Sequence, residues 1–92
     1  MSYNLVFPER YQKIEKQFLR RHPELVDRYT KTLSILQVDP THSSLRLHAL
    51  KGRLTGLYSV SINLQYRITL ELEVREHEII LVNVGGHGEV YR

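Results

Sequence analysis

Residues 39–44, "DPTHSS", divide the chain into two halves whose apolar residues repeat with different periods, and this change limits the possible folds more than any other feature. Upstream, Tyr11, Ile14 and Phe18 recur at helical spacing through "PERYQKIEKQFLRRH". Leu25, Tyr29, Leu33 and Leu36 form a second stripe of the same kind. Pro8 and Pro23 stand where a first helical turn tolerates a missing N–H, and Glu24 and Asp27 stand where carboxylates favour a helix start. These signals predict two helices, over about 8–21 and from Pro23 to about 37, arranged as a hairpin. Ahead of them "YNLVF", residues 3–7, is rich in strand formers and ends at Pro8, which predicts a strand.

Downstream the period is two. Leu45, Leu47 and Ala49 alternate with Arg46 and His48, and Tyr58, Val60 and Ile62 alternate with Ser59 and Ser61. Tyr66, Ile68, Leu70 and Leu72 alternate with Arg67, Thr69 and Glu71. Short breaks at 63–65 and 75–78 suit hairpin turns. The last run, "IILVNV", is apolar on both faces, as a central strand should be, and stops at "GGHG". The expected architecture is α+β: an N-terminal strand, a helical hairpin, then a four-stranded antiparallel meander with the helices packed on one face of the sheet. With 92 residues, this is one domain, 1–92, with a modest core.

Composition narrows the chemistry. There is no cysteine, which excludes disulfides and thiolate zinc sites, and no HxH or HExxH spacing, so no metal site or cofactor is expected. No apolar run approaches the ~20 residues of a membrane span, and the N-terminus lacks a basic segment followed by a long apolar one; a cytoplasmic protein with no membrane partner is expected. The formal charge is +3, and nine of the thirteen cationic residues are arginine, the side chain best matched to phosphate.

That charge gathers in one place. "LRLHALKGRL", residues 45–54, carries Arg46, His48, Lys51 and Arg53 with no acid among them. If the helices cover Tyr58, Val60, Ile62, Tyr66 and Ile68, alternation puts Arg46, His48, Ser59, Ser61, Arg67 and Thr69 on the uncovered face, with Lys51 and Arg53 at its rim. Such a face suits an anion. RNA supplies its own nucleophile, the 2′-hydroxyl, so its cleavage needs a proton acceptor, a proton donor and cations around the phosphate. His48 and His87 are the candidate acid and base, the second lying in "GGHG", where glycine lets backbone approach a ligand. Arg67, Lys51 and Arg53 are candidates to hold the phosphate, and Tyr91 offers a ring on which a base could stack. Plainer roles compete: His48 as a surface residue, Lys51 and Arg53 as solvated loop residues, Arg67 paired with Glu71 or Glu73, and Tyr91 closing the edge of the core. His22, His42 and His77 fall in turns or caps and are expected to face solvent, and Arg20 and Arg21 complement a helix dipole.

Three stretches, "LHALKGRLTGLYSVSI", "YRITLEL" and "IILVNVGGHGEVY", taken together and in this order, resemble the RelE/ParE superfamily of bacterial type II toxin-antitoxin toxins, with most likeness to YafQ-like and HigB-like ribonucleases. The resemblance spans nearly the whole chain. It implies a RelE-like fold and metal-free mRNA cleavage in the ribosomal A site, blocked by an acidic antitoxin, with operator DNA engaged only through the antitoxin complex. It also implies catalytic roles for His48 and His87, an arginine against the scissile phosphate at Arg67, and a terminal aromatic at Tyr91; Arg46, Lys51 and Arg53 are expected to bind phosphate or RNA on the charge of their own stretch. Two positions depart from the YafQ-like pattern, which has a further histidine and an aspartate where this chain has Ser61 and Gln65. Gly88 follows the last histidine where related motifs often have an acid. Within the same superfamily the alternatives are a ParE-like inhibitor of DNA gyrase and a non-catalytic RNA-binding relative.

Overall fold

The computed structural model describes residues 2–90. Strand β1 (Asn4–Val6) leads into helix α1 (Glu9–Arg21), and a 3-10 turn at Pro23–Leu25 leads into helix α2 (Val26–Val38). Strands β2 (His48–Ala49), β3 (Tyr58–Ser61), β4 (Tyr66–Glu73) and β5 (Glu78–Gly86) follow, and a short helix α3 (His87–Val90) closes the described chain. Both long helices end on the residue before a proline, His22 before Pro23 and Asp39 before Pro40. A proline's ring disfavours helical backbone at the position ahead of it, so these stops are written locally. Glu9 in the first turn of α1, and Arg20 and Arg21 in its last, match the helix dipole.

The five strands lie in the order β1-β5-β4-β3-β2. β2 to β5 form an antiparallel meander, and β1 pairs in parallel with β5, so β5 is an interior strand as its apolar composition predicts. The helices cover one face. Tyr11 and Phe18 of α1 and Tyr29 and Leu36 of α2 are buried with Val60, Ile62, Ile68, Leu70, Ile79, Leu81 and Val84. Burying an aliphatic or aromatic side chain of this size contributes roughly 1.5–3 kcal/mol, so this layer supplies most of the drive to fold.

Within the core one polar chain ties the two helices together. The Tyr29 hydroxyl donates to Glu15 Oε2 at 2.6 Å, which leaves its oxygen to accept from Tyr11 at 2.6 Å. Burial raises both phenols well above the ordinary tyrosine value, so they remain protonated in the folded state.

Four features differ from the sequence reading. The strand expected over 45–49 is reduced to His48–Ala49, because Ser43–Leu45 forms a 3-10 turn and Arg46 follows it in left-handed backbone (φ 51°, ψ 46°). His42 drives this: its Nδ1 accepts from the Ser44 N–H at 3.2 Å, capping the turn that displaces the strand. Second, Ser59 and Thr69, expected on an open face, are 0% and 1% exposed, and Ser61 is buried too. These small side chains sit in register between longer neighbours: Ser59 opposite His48 and Thr69, Ser61 opposite Arg67. Third, His22 and His77 are half-buried, His22 against Phe18 and Tyr66 (ring centroids 4.9 and 4.6 Å) and His77 against Tyr3 (5.4 Å). A neutral imidazole packs on aromatic rings as readily as it faces water. Fourth, the β4–β5 ladder slips by one residue between Thr69 and Leu70.

Replacing Tyr29 with Phe would strand both Glu15 and the Tyr11 hydroxyl, at an expected cost of about 2 kcal/mol in urea unfolding. In the parent chain, stability should hold below pH ~10 and fall above it, where unfolded tyrosines ionise and the buried ones do not; unfolding followed across pH 8–11 checks this.

Candidate functional site

The slip in the β4–β5 ladder decides which side chains share a face. Leu70 pairs with Leu81, yet Thr69 pairs with Asn83, so β5 contributes one residue more than β4 at this point. Such a bulge reverses the alternation beyond it. Before the bulge Ile79 and Leu81 face the helices; after it Val84 does, opposite Ile68, while Asn83 and Gly85 turn to the other face beside Thr69 and Arg67. Unbroken alternation from Ile79 would have sent positions 83 and 85 into the core. His87 lies two residues past Gly85, at the start of α3, and is exposed.

Two rows of side chains cross the face away from the helices. One runs His48, Ser59, Thr69, Asn83, and the other Ser61, Arg67, Gly85. Arg67 is the centre of the second. Its Nη1 donates to Ser61 Oγ at 2.6 Å, and its Nε is buried with no acceptor. The pairing with Glu71 or Glu73 is not made: among the described residues the one contact between a basic group and a carboxylate is His22 with Glu24, 3.6 Å apart. A half-buried guanidinium held by a neutral hydroxyl keeps its charge uncompensated, a state suited to an incoming anion. Thr69 Oγ1 is a second buried atom without a partner on this face.

His48 occupies the edge strand, opposite Ser59 and one row from Arg67. Its Nδ1 lies 3.1 Å from the carbonyl oxygen of Arg46. A carbonyl only accepts, so Nδ1 carries the proton and, in the neutral ring, Nε2 keeps a free lone pair. The left-handed turn at Arg46 aims that carbonyl, and such backbone costs a non-glycine residue about 1–2 kcal/mol.

The sequence-derived residues therefore divide into groups. Arg46 and Ser61, the acceptor of Arg67, line one cleft of about 110 Å³ with Asn63 and Leu64. His48 lies on the same face, two strand spacings, or ~10 Å, from β4. His87 follows β5 on the other side of β4, so Arg67 stands on the strand between the two histidines' ends of the sheet. Lys51 and Arg53 are not part of this cluster: they are exposed in the turn beyond the Ala49–Tyr58 pair, at the opposite end of β3 from Ser61. Tyr91 lies outside the described residues. Among the described residues no three His, Cys, Asp or Glu side chains gather to hold a metal ion, and no helix is long and apolar enough to cross a membrane.

One cation in the cleft escaped the sequence reading. Arg28, on α2, donates from Nε to the Ile62 carbonyl at 2.8 Å and so reaches the end of β3. It neighbours Tyr29 of the apolar stripe, and nothing in the periodicity links α2 to that strand end.

An α+β sheet of this order, with a helical hairpin on one face and cations on the other, defines a class: the chain has the fold of the RelE/ParE-superfamily toxins. It is similar over 98% of its length, and 99% of the other chain, to a YafQ mutant from E. coli, with a TM-score of 0.78 and 14% identity. A chain of an archaeal RelE-RelB complex from Pyrococcus horikoshii OT3 matches with a TM-score of 0.73 and 18% identity, covering 96% of this chain and 98% of that one. A YoeB-YefM complex from Staphylococcus aureus matches with a TM-score of 0.71 and 20% identity, covering 95% and 99%. No protein-family model and no curated protein matches the chain.

Ser61→Ala removes the acceptor of Arg67 Nη1 from a buried position; an expected loss of about 1–2 kcal/mol in denaturant unfolding would report that bond.

Proposed function

We propose that the protein is the toxin of a type II toxin-antitoxin system and that it cleaves mRNA as an endoribonuclease needing no metal. The observation that carries this reading is Arg67, fixed by Ser61, with its charge unpaired among the described residues and its Nε uncommitted on the polar face that also bears His48. The toxin–antitoxin complexes among the proteins of like fold support an antitoxin partner, and the excess of cations supports an acidic one. The same fold serves the runner-up readings, gyrase inhibition and RNA binding without cleavage, but neither would require an imidazole held in its basic tautomer.

In this mechanism His48 is the general base. Its Nε2 takes the proton of a 2′-hydroxyl, whose oxygen bonds to phosphorus as the bond to the 5′ oxygen breaks. Charged His87 gives its proton to that leaving oxygen, and the products are a 2′,3′-cyclic phosphate and a 5′-hydroxyl. Arg67 stabilises the charge gathering on the phosphoryl oxygens. Arg46 binds the flanking backbone, Lys51 and Arg53 contact phosphates further along the strand, and Tyr91 stacks a base. The substrate is mRNA in the ribosomal A site, the antitoxin covers the basic face, and operator DNA is met only through the antitoxin complex. The setting is the cytoplasm, with no cofactor.

Expression in growing bacteria followed by mapping of mRNA 5′ ends tests this. Cuts in phase with codons should appear, and His48→Ala or His87→Ala should each lower cleavage by ~10²–10⁴. Intact mRNA accompanied by DNA damage would overturn the ribonuclease in favour of gyrase.

A further inference from the structure

A larger cleft, of about 430 Å³, opens beside the small one and shares Arg28, Ser44, Ser61 and Ile62 with it. It lies between α2 and the turn ahead of β2, and its volume falls in the ~300–1,000 Å³ range of ligand clefts. Ile35 and Ile62 supply an apolar side, while Arg28, Lys31 and His42 supply the polar one.

Arg28, Lys31 and His42 each bring a donor to the cleft. Arg28 spends only Nε, on the Ile62 carbonyl, which fixes its plane and leaves its other donors available. Lys31 is exposed and has no carboxylate partner among the described residues. His42 is set by its own turn: a backbone N–H can only donate, so the contact from Ser44 makes Nδ1 the acceptor, and the neutral ring carries its proton on Nε2. No carboxylate lines the cleft. Asp39, which interacts with His42, has Oδ1 bound by both the N–H and the hydroxyl of Thr41, at 3.0 and 2.7 Å. Arg28 and Lys31 bring two cations to the lining and His42 an N–H, and the carboxylate nearest them, Asp39, stands beside His42 outside the lining; the cleft is therefore net cationic and suited to an anion.

Continuity indicates which anion. Ser61 lines both clefts and accepts from Arg67, so the donors run from Lys31 and Arg28, past Ser61, to the guanidinium assigned to the scissile phosphate. A ligand that offers negative charge at successive points along one covalent backbone, with sugar carbons between them to lie on Ile35, is a single-stranded polynucleotide. We infer that the α2 cleft binds a second backbone phosphate of the RNA whose neighbouring phosphate lies at Arg67. This inference rests on the ribonuclease reading.

Lys31→Gln is the variant of choice, because Lys31 is exposed and makes no contact needed by the fold; Arg28→Lys, which keeps charge but loses the forked geometry, is the second. The probe is a single-stranded oligoribonucleotide with 2′-O-methyl groups, which binds without being cut, titrated across salt concentrations. Lys31→Gln should weaken binding several-fold and reduce the slope of log K against log salt by about 0.7, the loss of one phosphate contact on a single strand. Arg28→Lys should weaken binding with the slope retained. Unchanged affinity and slope in Lys31→Gln, with the parent protein still binding and cutting RNA, would overturn this inference alone. Unchanged RNA binding with lost affinity for an acidic peptide would also overturn it, assigning the cleft to protein carboxylates. A parent protein that binds no RNA would overturn the ribonuclease reading along with it.

Discussion

One extra residue in β5, opposite Thr69, governs what the polar face can contain. A β-strand presents alternate residues to alternate sides, so a single insertion exchanges the two sets downstream of it. Here the exchange occurs midway along an interior strand, and the two halves of β5 therefore serve different layers. Ile79 and Leu81 fill the core, and past the bulge Asn83 and Gly85 line up with Thr69 and Arg67. Gly85 stands opposite Arg67 on one side, and the bond to Ser61 holds the guanidinium on the other. Removing the bulge would place Asn83 against the helices, where an amide has no partner.

The helical layer provides the rigid backing. Hydrophobic contact between α1, α2 and the sheet is non-directional and would allow the hairpin to slide. The Tyr11–Tyr29–Glu15 chain is directional, and it fixes α1 against α2 at one level. Arg28 is the residue before Tyr29, so the same fixed turn of α2 sets where its guanidinium meets the Ile62 carbonyl. Helix packing and the position of a cation at the end of β3 are thus parts of one arrangement.

The architecture was legible because it rests on patterns read within a few residues: two helical stripes, prolines at the helix boundaries, and period two after residue 44. What was not legible depends on contacts between distant segments or on backbone geometry. "SLRLHAL" alternates correctly for a strand, but the His42 side chain captures the Ser44 amide and the chain turns instead. Burial of Ser59 and Thr69 comes from their neighbours in register, which one strand cannot reveal. The bulge did leave a trace: in "IILVNV" the series 79, 81, 83 ends on Asn83 while Val84 stays apolar, a break in parity that an all-apolar reading overlooks. For the candidate site, period two put His48 and Arg67 on one face, as the register does, but did not show that Lys51 and Arg53 stand at the far end of β3, nor that Arg28 reaches across from α2.

The two outermost strands are very short, three residues in β1 and two in β2. An exposed strand margin offers unpaired amides and carbonyls to any extended chain, and long margins invite self-association into fibres. The turn that shortened β2 also withdraws most of that margin, and Arg46 leaves it in a conformation no ladder accommodates. The geometry that orients an imidazole therefore also blunts the sheet against polymerisation, so a chain with a cationic face and a small core gains colloidal safety from the same few residues.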